Sequence, residues 1–144
     1  MCGARMDVLT NIAHHVVSPA PCSGCATDTG VVRCTIETAL GTIDVELDTA
    51  SAPLTCANFL AYVDAGAYEG GAFTRAVRMD NQAHDGHRSP EKSVRIEVVQ
   101  FGQSVDAATL APIPMESTED TGLTHVDGTL SMARGAPDSA TSSV

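Results

Sequence analysis

One arginine in this sequence stands where its side chain could act on a bound molecule. Residues 73–77 follow two glycines and predict a short strand. Alternation along a strand would place Phe73, Arg75 and Val77 on one face. A guanidinium held on a strand is a rigid fork of hydrogen-bond donors. The alternative is that the stem of Arg75 lies on apolar surface while its head group is in water, and the segment alone favours this alternative.

A glutamine lies at a comparable place in a second predicted strand, residues 93–101. There Ile96, Val98 and Gln100 share one face. The amide of Gln100 is either solvated at the edge of the sheet or positioned to bind something, and the residues alone favour the first interpretation.

Cysteines and histidines form two groups that could be considered as metal sites. Thiolate and imidazole suit zinc, and the first group is a CxxC pair preceded by two histidines: His14, His15, Cys22 and Cys25. No second pair stands at zinc-finger spacing, which favours an unstructured leader. The second group is His84 and His87, in a polar loop where solvated histidines are commoner than ligands. The sequence therefore predicts neither a metal site nor a cofactor.

Composition restricts the class of protein. The chain has 144 residues, enough for one domain, and a net charge of −10. Nucleic acids and anionic membranes need a basic surface, so neither is an expected partner. No apolar run of membrane-spanning length or secretory signal is visible, and five cysteines are an odd number for a disulfide framework. These features predict a cytoplasmic protein.

The chain divides into a leader and a structured domain. Residues 1–30 show no hydrophobic period and are predicted to be disordered. Residues 31–37 and 42–47 alternate apolar and polar side chains, which predicts a β-hairpin. Cys34 in this hairpin and Cys56 in the following segment are predicted to be small core residues.

One helix is predicted over residues 48–66, with Ser51 as its N-cap, Pro53 in its first turn and Gly66 as a left-handed C-terminal cap. A last short strand is predicted at 129–134. Many short strands with a single good helix indicate a mainly β fold, either an antiparallel barrel or a sandwich.

The chain resembles the cyclophilin-type peptidyl-prolyl cis-trans isomerases of bacteria. The resemblance covers about residues 31–143. It is carried, in order, by LGTIDVEL (40–47), APLTCANF (52–59), YEGGAFTR (68–75), VQ (99–100), DTGL (120–123) and GTLSMAR (128–134). The family fold is an eight-stranded closed barrel with a helix at each open end. The resemblance therefore implies that residues 31–144 form an incomplete antiparallel barrel with one well-supported helix, lacking the C-terminal third of the domain.

The resemblance also implies a function and a site. It implies catalysis of X–Pro isomerisation during protein folding, with Arg75 as the catalytic residue. The substrate-binding residues it implies are Phe73, Val98, Gln100, Met132, Ala133 and Arg134. The implied partners are proline-containing polypeptides, and open sheet edges lead us to expect self-association. The alternatives are a non-catalytic proline-peptide binding module and an inactive cyclophilin fragment.

Overall fold

The computed structural model describes residues 16–19, 30–81 and 96–144, and of residues 16–19 it describes the backbone alone. Five strands and two helices lie in this part of the chain: β1 (Val16–Pro19), β2 (Val31–Thr38), β3 (Gly41–Asp48), α1 (Pro53–Asp64), β4 (Ala72–Val77), β5 (Val98–Gly102) and α2 (Thr118–Thr121). One antiparallel sheet has the order β1-β2-β3, and a second pairs β4 with β5. The predicted mainly β, antiparallel class is confirmed. Neither helix in the described residues is long and apolar enough to cross a membrane.

The predicted hairpin is formed by β2 and β3, and each strand extends no more than one residue beyond its predicted bounds. Its inner face buries Cys34, Ile36 and Leu47. Its outer face carries an exposed ion pair, in which Nε of Arg33 lies 2.9 Å from Oε1 of Glu46. The hairpin could be predicted accurately because its strands alternate apolar and polar side chains, as expected when one face of a sheet is buried and the other is exposed to solvent.

β1 pairs with residues 34–37 of β2. Val16–Pro19 belong to the segment 1–30 that the sequence predicts to be a disordered leader, and here they form a strand. Residues 1–15 and 20–29, including the CxxC pair, lie outside the described residues, as do His84 and His87. The leader and the domain boundary at residue 31 therefore stay predictions.

Helix α1 begins at Pro53, later than the predicted start at residue 48, and its cap is also different. Ala52 is the N-cap, and it contributes no side-chain hydrogen bond. The predicted cap, Ser51, instead donates its backbone N–H to a carboxylate oxygen of Asp48 at 2.9 Å. Its assignment as N-cap is therefore wrong. At the other end Gly66 has φ +65°, the left-handed conformation expected of a residue that ends a helix.

The aromatic residues form one cluster in the core. The chain has only five of them, and all five lie here: Phe59, Tyr62, Tyr68, Phe73 and Phe101. Neighbouring ring centroids are 5.4–6.0 Å apart in tilted or edge-on arrangements, the distances preferred by aromatic pairs. This cluster joins α1 to the β4–β5 pair and so fixes the position of the second sheet.

Both cysteines in the described domain are core residues, as predicted. Cys34 and Cys56 are buried free thiols. Burial raises the pKa of each thiol, because the thiolate loses its hydration there.

The strand predicted at 129–134 does not form. This segment is irregular in the structure, although Ala133 donates its backbone N–H to the carbonyl of Ser143 at 2.8 Å. Gly128, with φ +84°, precedes it, and a turn follows it. No ladder of backbone hydrogen bonds to a described strand accompanies the single bond from Ala133, so the alternating pattern was not sufficient evidence for a strand.

Candidate functional site

An open groove of about 530 Å³ lies against the face of the β4–β5 pair. One side is the two strands, and the other is formed by segments 131–135 and 139–144. Its lining residues are Arg75, Ile96, Val98, Gln100, Ser131, Ala133, Arg134, Gly135, Ser139, Thr141, Ser143 and Val144. Five of the seven predicted site residues are in this set.

A β-bulge at Thr74 determines which way Arg75 faces. Phe73 pairs with Phe101 and Arg75 pairs with Gln100, so two steps along β4 match one step along β5. Neighbouring residues of β5 face opposite sides, and therefore Arg75 lies on the face opposite to Phe73. The expectation that Phe73, Arg75 and Val77 share a face is wrong for Phe73.

The bulge brings Arg75 beside Gln100 on the groove face. Val77 pairs with Val98, which lies two residues before Gln100 in β5, so Val98 shares this face. In the part of the chain that the structure describes, no hydrogen bond or ion pair engages the side chains of Arg75 and Gln100. The exposed guanidinium and the half-buried amide are thus available to a molecule in the groove.

Apolar surface lies next to these polar groups. The side chains of Ile96 and Val98 line the groove and keep 45% and 37% of their surface exposed. A small apolar ring placed on them would remove this surface from water, which is favourable.

Phe73 and Met132 are not in the groove. Phe73 packs its ring against Phe101 at 5.5 Å, and Met132 packs against the hydrophobic core. The next two residues, Ala133 and Arg134, do line the groove. The predicted substrate-binding set is thus divided: the structure places two of its members on the core side.

The groove wall formed by residues 140–144 was not foreseen from the sequence. We call these residues the wall segment. Each of its five successive carbonyls accepts a hydrogen bond from a different part of the chain; the donors, in order, are Ile113 N, Asn58 Nδ2, Tyr68 Oη, Ala133 N and Phe101 N. Phe101 also accepts a bond from the N–H of Val144 at 2.9 Å. The wall segment is therefore fixed against α1, β5 and the core at once.

Alternation along the wall segment determines its lining. Thr141 and Ser143 face the groove, while Ala140 and Ser142 are buried. Buried donors such as Asn58 and Tyr68 require acceptors, but sequence gives no means of locating them. Burial raises the pKa of Tyr68, so this phenol remains protonated and keeps donating to the carbonyl of Ser142.

The groove offers hydrogen-bond donors and apolar surface. Two guanidiniums, one amide and four hydroxyls line it, of which the hydroxyl of Ser139 already donates to the carbonyl of Ala136. Such a set can bind a peptide backbone and direct N–H groups at an atom whose lone pair becomes available during a reaction.

Comparison with known proteins identifies relatives of this chain. A family model described as "Cyclophilin type peptidyl-prolyl cis-trans isomerase/CLD" matches residues 33–143. The chain is similar to "Peptidyl-prolyl cis-trans isomerase cyp18" of Streptomyces antibioticus, with 37% identity over 74% of this chain and 55% of the relative. It is also similar to "Peptidyl-prolyl cis-trans isomerase" of Acinetobacter baylyi, with 35% identity over 74% of this chain and 50% of that protein.

A third relative is "Peptidyl-prolyl cis-trans isomerase A" of Dickeya dadantii, which is 33% identical over 85% of this chain and 56% of its own length. The chain thus spans about half the length of the curated relatives it matches. No solved structure gives a significant match.

Proposed function

We propose that this chain, which belongs to the cyclophilin-type peptidyl-prolyl cis-trans isomerase family, accelerates cis-trans isomerisation of X–Pro bonds in the groove beside β4 and β5. The proposed substrates are proline-containing polypeptides, and the proposed role is assistance of protein folding. The observation that carries the proposal is the pairing of Arg75 with Gln100 on one face, beside the exposed apolar side chains of Ile96 and Val98.

The reaction requires a lower rotational barrier and no change in bonding. Partial double-bond character gives a peptide bond a barrier of about 18–20 kcal/mol. The two isomers of an X–Pro bond differ by only about 0.5–1 kcal/mol, so the barrier is what the protein must lower. In the twisted state the prolyl nitrogen becomes pyramidal and its lone pair can accept a hydrogen bond. A donor aimed at that nitrogen therefore binds the transition state more strongly than the planar ground state.

Each groove residue has a role in this scheme. Arg75 donates an N–H to the prolyl nitrogen, and Gln100 orients the guanidinium and the peptide backbone. Ile96 and Val98 hold the proline ring by apolar contact while the carbonyl side rotates. Ala133 and Arg134 line the part of the groove that accepts neighbouring residues of the peptide.

We also propose that the β4–β5 pair and the hairpin are parts of one cyclophilin-like barrel. The support is the family match across residues 33–143 and the aromatic cluster that links the second sheet to α1. In such a barrel the groove face of β4 and β5 would be part of the outer surface.

Substitution of Arg75 tests the function. In Arg75→Ala we expect the catalysed rate on an X–Pro peptide to fall about 10²-fold, the loss typical of one transition-state donor. Arg75→Lys should not restore it, because an ammonium does not reproduce the guanidinium fork. The measurement is two-dimensional NMR exchange spectroscopy of the peptide with the 144-residue chain.

Arg33→Ala is the matched control, because Arg33 is an exposed arginine paired with Glu46 on the hairpin. Near-full activity of a folded Arg75→Ala variant would contradict the assignment of Arg75. Absence of catalysis by the unsubstituted chain would contradict the proposed function.

A proline-peptide binder without catalysis is the second candidate. It is favoured by the openness of the groove, where Ile96 and Val98 have much of their surface exposed and would contact a bound ring from one side only. The same spectra distinguish the two: a binder shifts the peptide resonances without increasing cis-trans exchange.

A further inference from the structure

Among the residues that the structure describes, the charged groups lining the groove are all positive, whereas the chain as a whole is acidic. The sequence has 18 acidic and 8 basic residues. The described lining nevertheless contains two arginines, Arg75 and Arg134, and no aspartate or glutamate. The groove is therefore a local cationic site on an acidic protein.

The pairing of the arginines strengthens this contrast. Four arginines lie in residues 30–81 and 96–144. Arg33 is paired with Glu46, and Arg78 with Asp80, both at 2.9 Å. Within these residues no carboxylate or other hydrogen-bond acceptor engages the guanidiniums of Arg75 and Arg134. The two unpaired arginines are thus the two that line the groove.

Hydroxyl groups complete the donor set. Ser131, Thr141 and Ser143 line the groove with Arg134, and their hydroxyls can donate to a carboxylate oxygen. The hydroxyl of Ser139, which also lines the groove, donates instead to the carbonyl of Ala136 at 2.6 Å. A guanidinium binds a carboxylate through two parallel N–H···O bonds, which is stronger and more directional than contact with a neutral amide.

We propose that Arg134 makes the groove selective for X–Pro peptides that carry an acidic side chain within two residues of the proline. This inference rests on the proposed function, in which Arg75 is directed at the prolyl nitrogen. Arg134 is then the arginine available to a side chain flanking the proline. Arg134 acts here as a specificity-determining residue and takes no part in bond rotation.

Binding of a peptide series tests the proposal without requiring catalysis. The host peptide is Ala-Ala-Pro-Ala, extended by alanine at both ends and labelled with a fluorophore. Glutamate, glutamine or lysine is placed in turn at each of the two positions before and the two after the proline. Fluorescence anisotropy with the 144-residue chain gives a Kd for each peptide.

At one position or more we expect the glutamate peptide to bind about two- to fivefold more tightly than the glutamine peptide, the range of an exposed ion pair. The ratio of the Kd of the glutamine peptide to that of the glutamate peptide should approach one in Arg134→Gln. In Arg134→Glu, the lysine peptide should bind more tightly than the glutamate peptide. The ratio should also decrease with added salt, which screens exposed charges. Arg33→Gln, which removes an arginine outside the groove, should leave the ratio unchanged.

The outcomes separate this proposal from the proposed function. Equal binding of glutamate and glutamine peptides at every position, no binding at all, or a preference that survives Arg134→Gln would overturn the role of Arg134. Exchange spectroscopy on the same peptides reports catalysis independently. Catalysis without acidic preference leaves the function standing and this inference refuted. Acidic preference without catalysis supports Arg134 and refutes the function.

Discussion

Glu116 caps the N-terminus of α1, which is the role that the sequence predicts for Ser51. Its two carboxylate oxygens accept the N–H groups of Leu54 and Thr55 at 3.0 and 2.7 Å. The first N–H groups of a helix lack partners inside the helix and carry partial positive charge, which favours an anion there. Glu116 lies 62 positions from Leu54 and 61 from Thr55 along the chain, and it therefore joins the long connection after β5 to the helix.

Removal of this carboxylate should destabilise the protein. For Glu116→Ala we expect a loss of about 0.5–2 kcal/mol in the free energy of unfolding at pH 7, as for other N-terminal caps. Urea denaturation measures it. Glu119→Ala is the control, because Glu119 lies exposed in α2 and makes no cap to α1. Equal stability of the two variants would contradict the capping role of Glu116.

The same contact has a defined pH dependence. Partial burial acts to raise the pKa of Glu116, but the hydrogen bonds from Leu54 and Thr55 outweigh it, and the net pKa is lowered. Stability from a carboxylate with a lowered pKa is fully present above its unfolded pKa and is lost as pH falls through its folded pKa. The difference in stability between the unsubstituted chain and Glu116→Ala should therefore be constant at neutral pH and should decrease as the pH falls below about 4.3, the ordinary pKa of a glutamate.

At the scale of elements, the hairpin and the end of α1 follow the sequence prediction, whereas the strand predicted at 129–134 does not form and the bulge in β4 was not predicted. The hairpin was found because Ile36, Ile43 and Leu47 keep strict alternation, and the end of α1 because Gly66 suits a left-handed residue. The bulge at Thr74 could not be predicted, because an extra residue in one strand is visible only in the register between the two paired strands. Arg75 does line the groove, on the face opposite to Phe73, and its catalytic role stays a prediction.

The wall segment shows the other limit of sequence reasoning. Its contacts join residues far apart, such as Asn58 with Thr141 and Tyr68 with Ser142. Nothing in the local pattern of residues 140–144 distinguishes them from a polar loop. Contacts of this kind depend on how elements are arranged in space, and a single sequence does not specify that arrangement by spacing.

The Tyr68 hydroxyl should be a strong anchor of the wall segment. Tyr68→Phe leaves the buried carbonyl of Ser142 without its donor, and we expect a loss of about 1–3 kcal/mol. Tyr62→Phe is the matched control: the Tyr62 hydroxyl accepts from Leu110, which is 44% exposed, so water can replace it. Urea denaturation compares the variants, and hydrogen exchange at the Val144 amide reports the segment itself. A larger loss for Tyr62→Phe would contradict this ranking.

For the whole molecule, charge and sheet edges act in opposite directions on self-association. β3 ends one sheet, and β4 pairs only with β5 in the other, so both strands present an edge within the described residues. Unpaired strand edges can pair with another copy. The net charge of −10 opposes this by repulsion, which salt screens.

We therefore expect self-association to increase with both protein and salt concentration, as measured by size-exclusion chromatography with light scattering. Ala72→Lys adds a charge to the exposed start of β4 and should reduce it. Ala57→Lys adds the same charge on the exposed side of α1 and corrects for the change in net charge. A monodisperse monomer under all conditions would contradict the expectation.

The long reach of the wall segment also has a kinetic consequence. Its hydrogen bonds to Asn58 and Tyr68 close loops of 83 and 74 residues, whereas the hairpin closes a loop of only a few. Forming a non-local contact costs the conformational entropy of the long loop that it closes, and this cost precedes any stabilisation. Non-local contacts therefore tend to form after local ones. The groove would then be the last feature of the domain to assemble. Tyr68→Phe should accordingly speed unfolding and leave the refolding rate nearly unchanged in stopped-flow experiments, and slower refolding would place the wall segment in the folding nucleus instead.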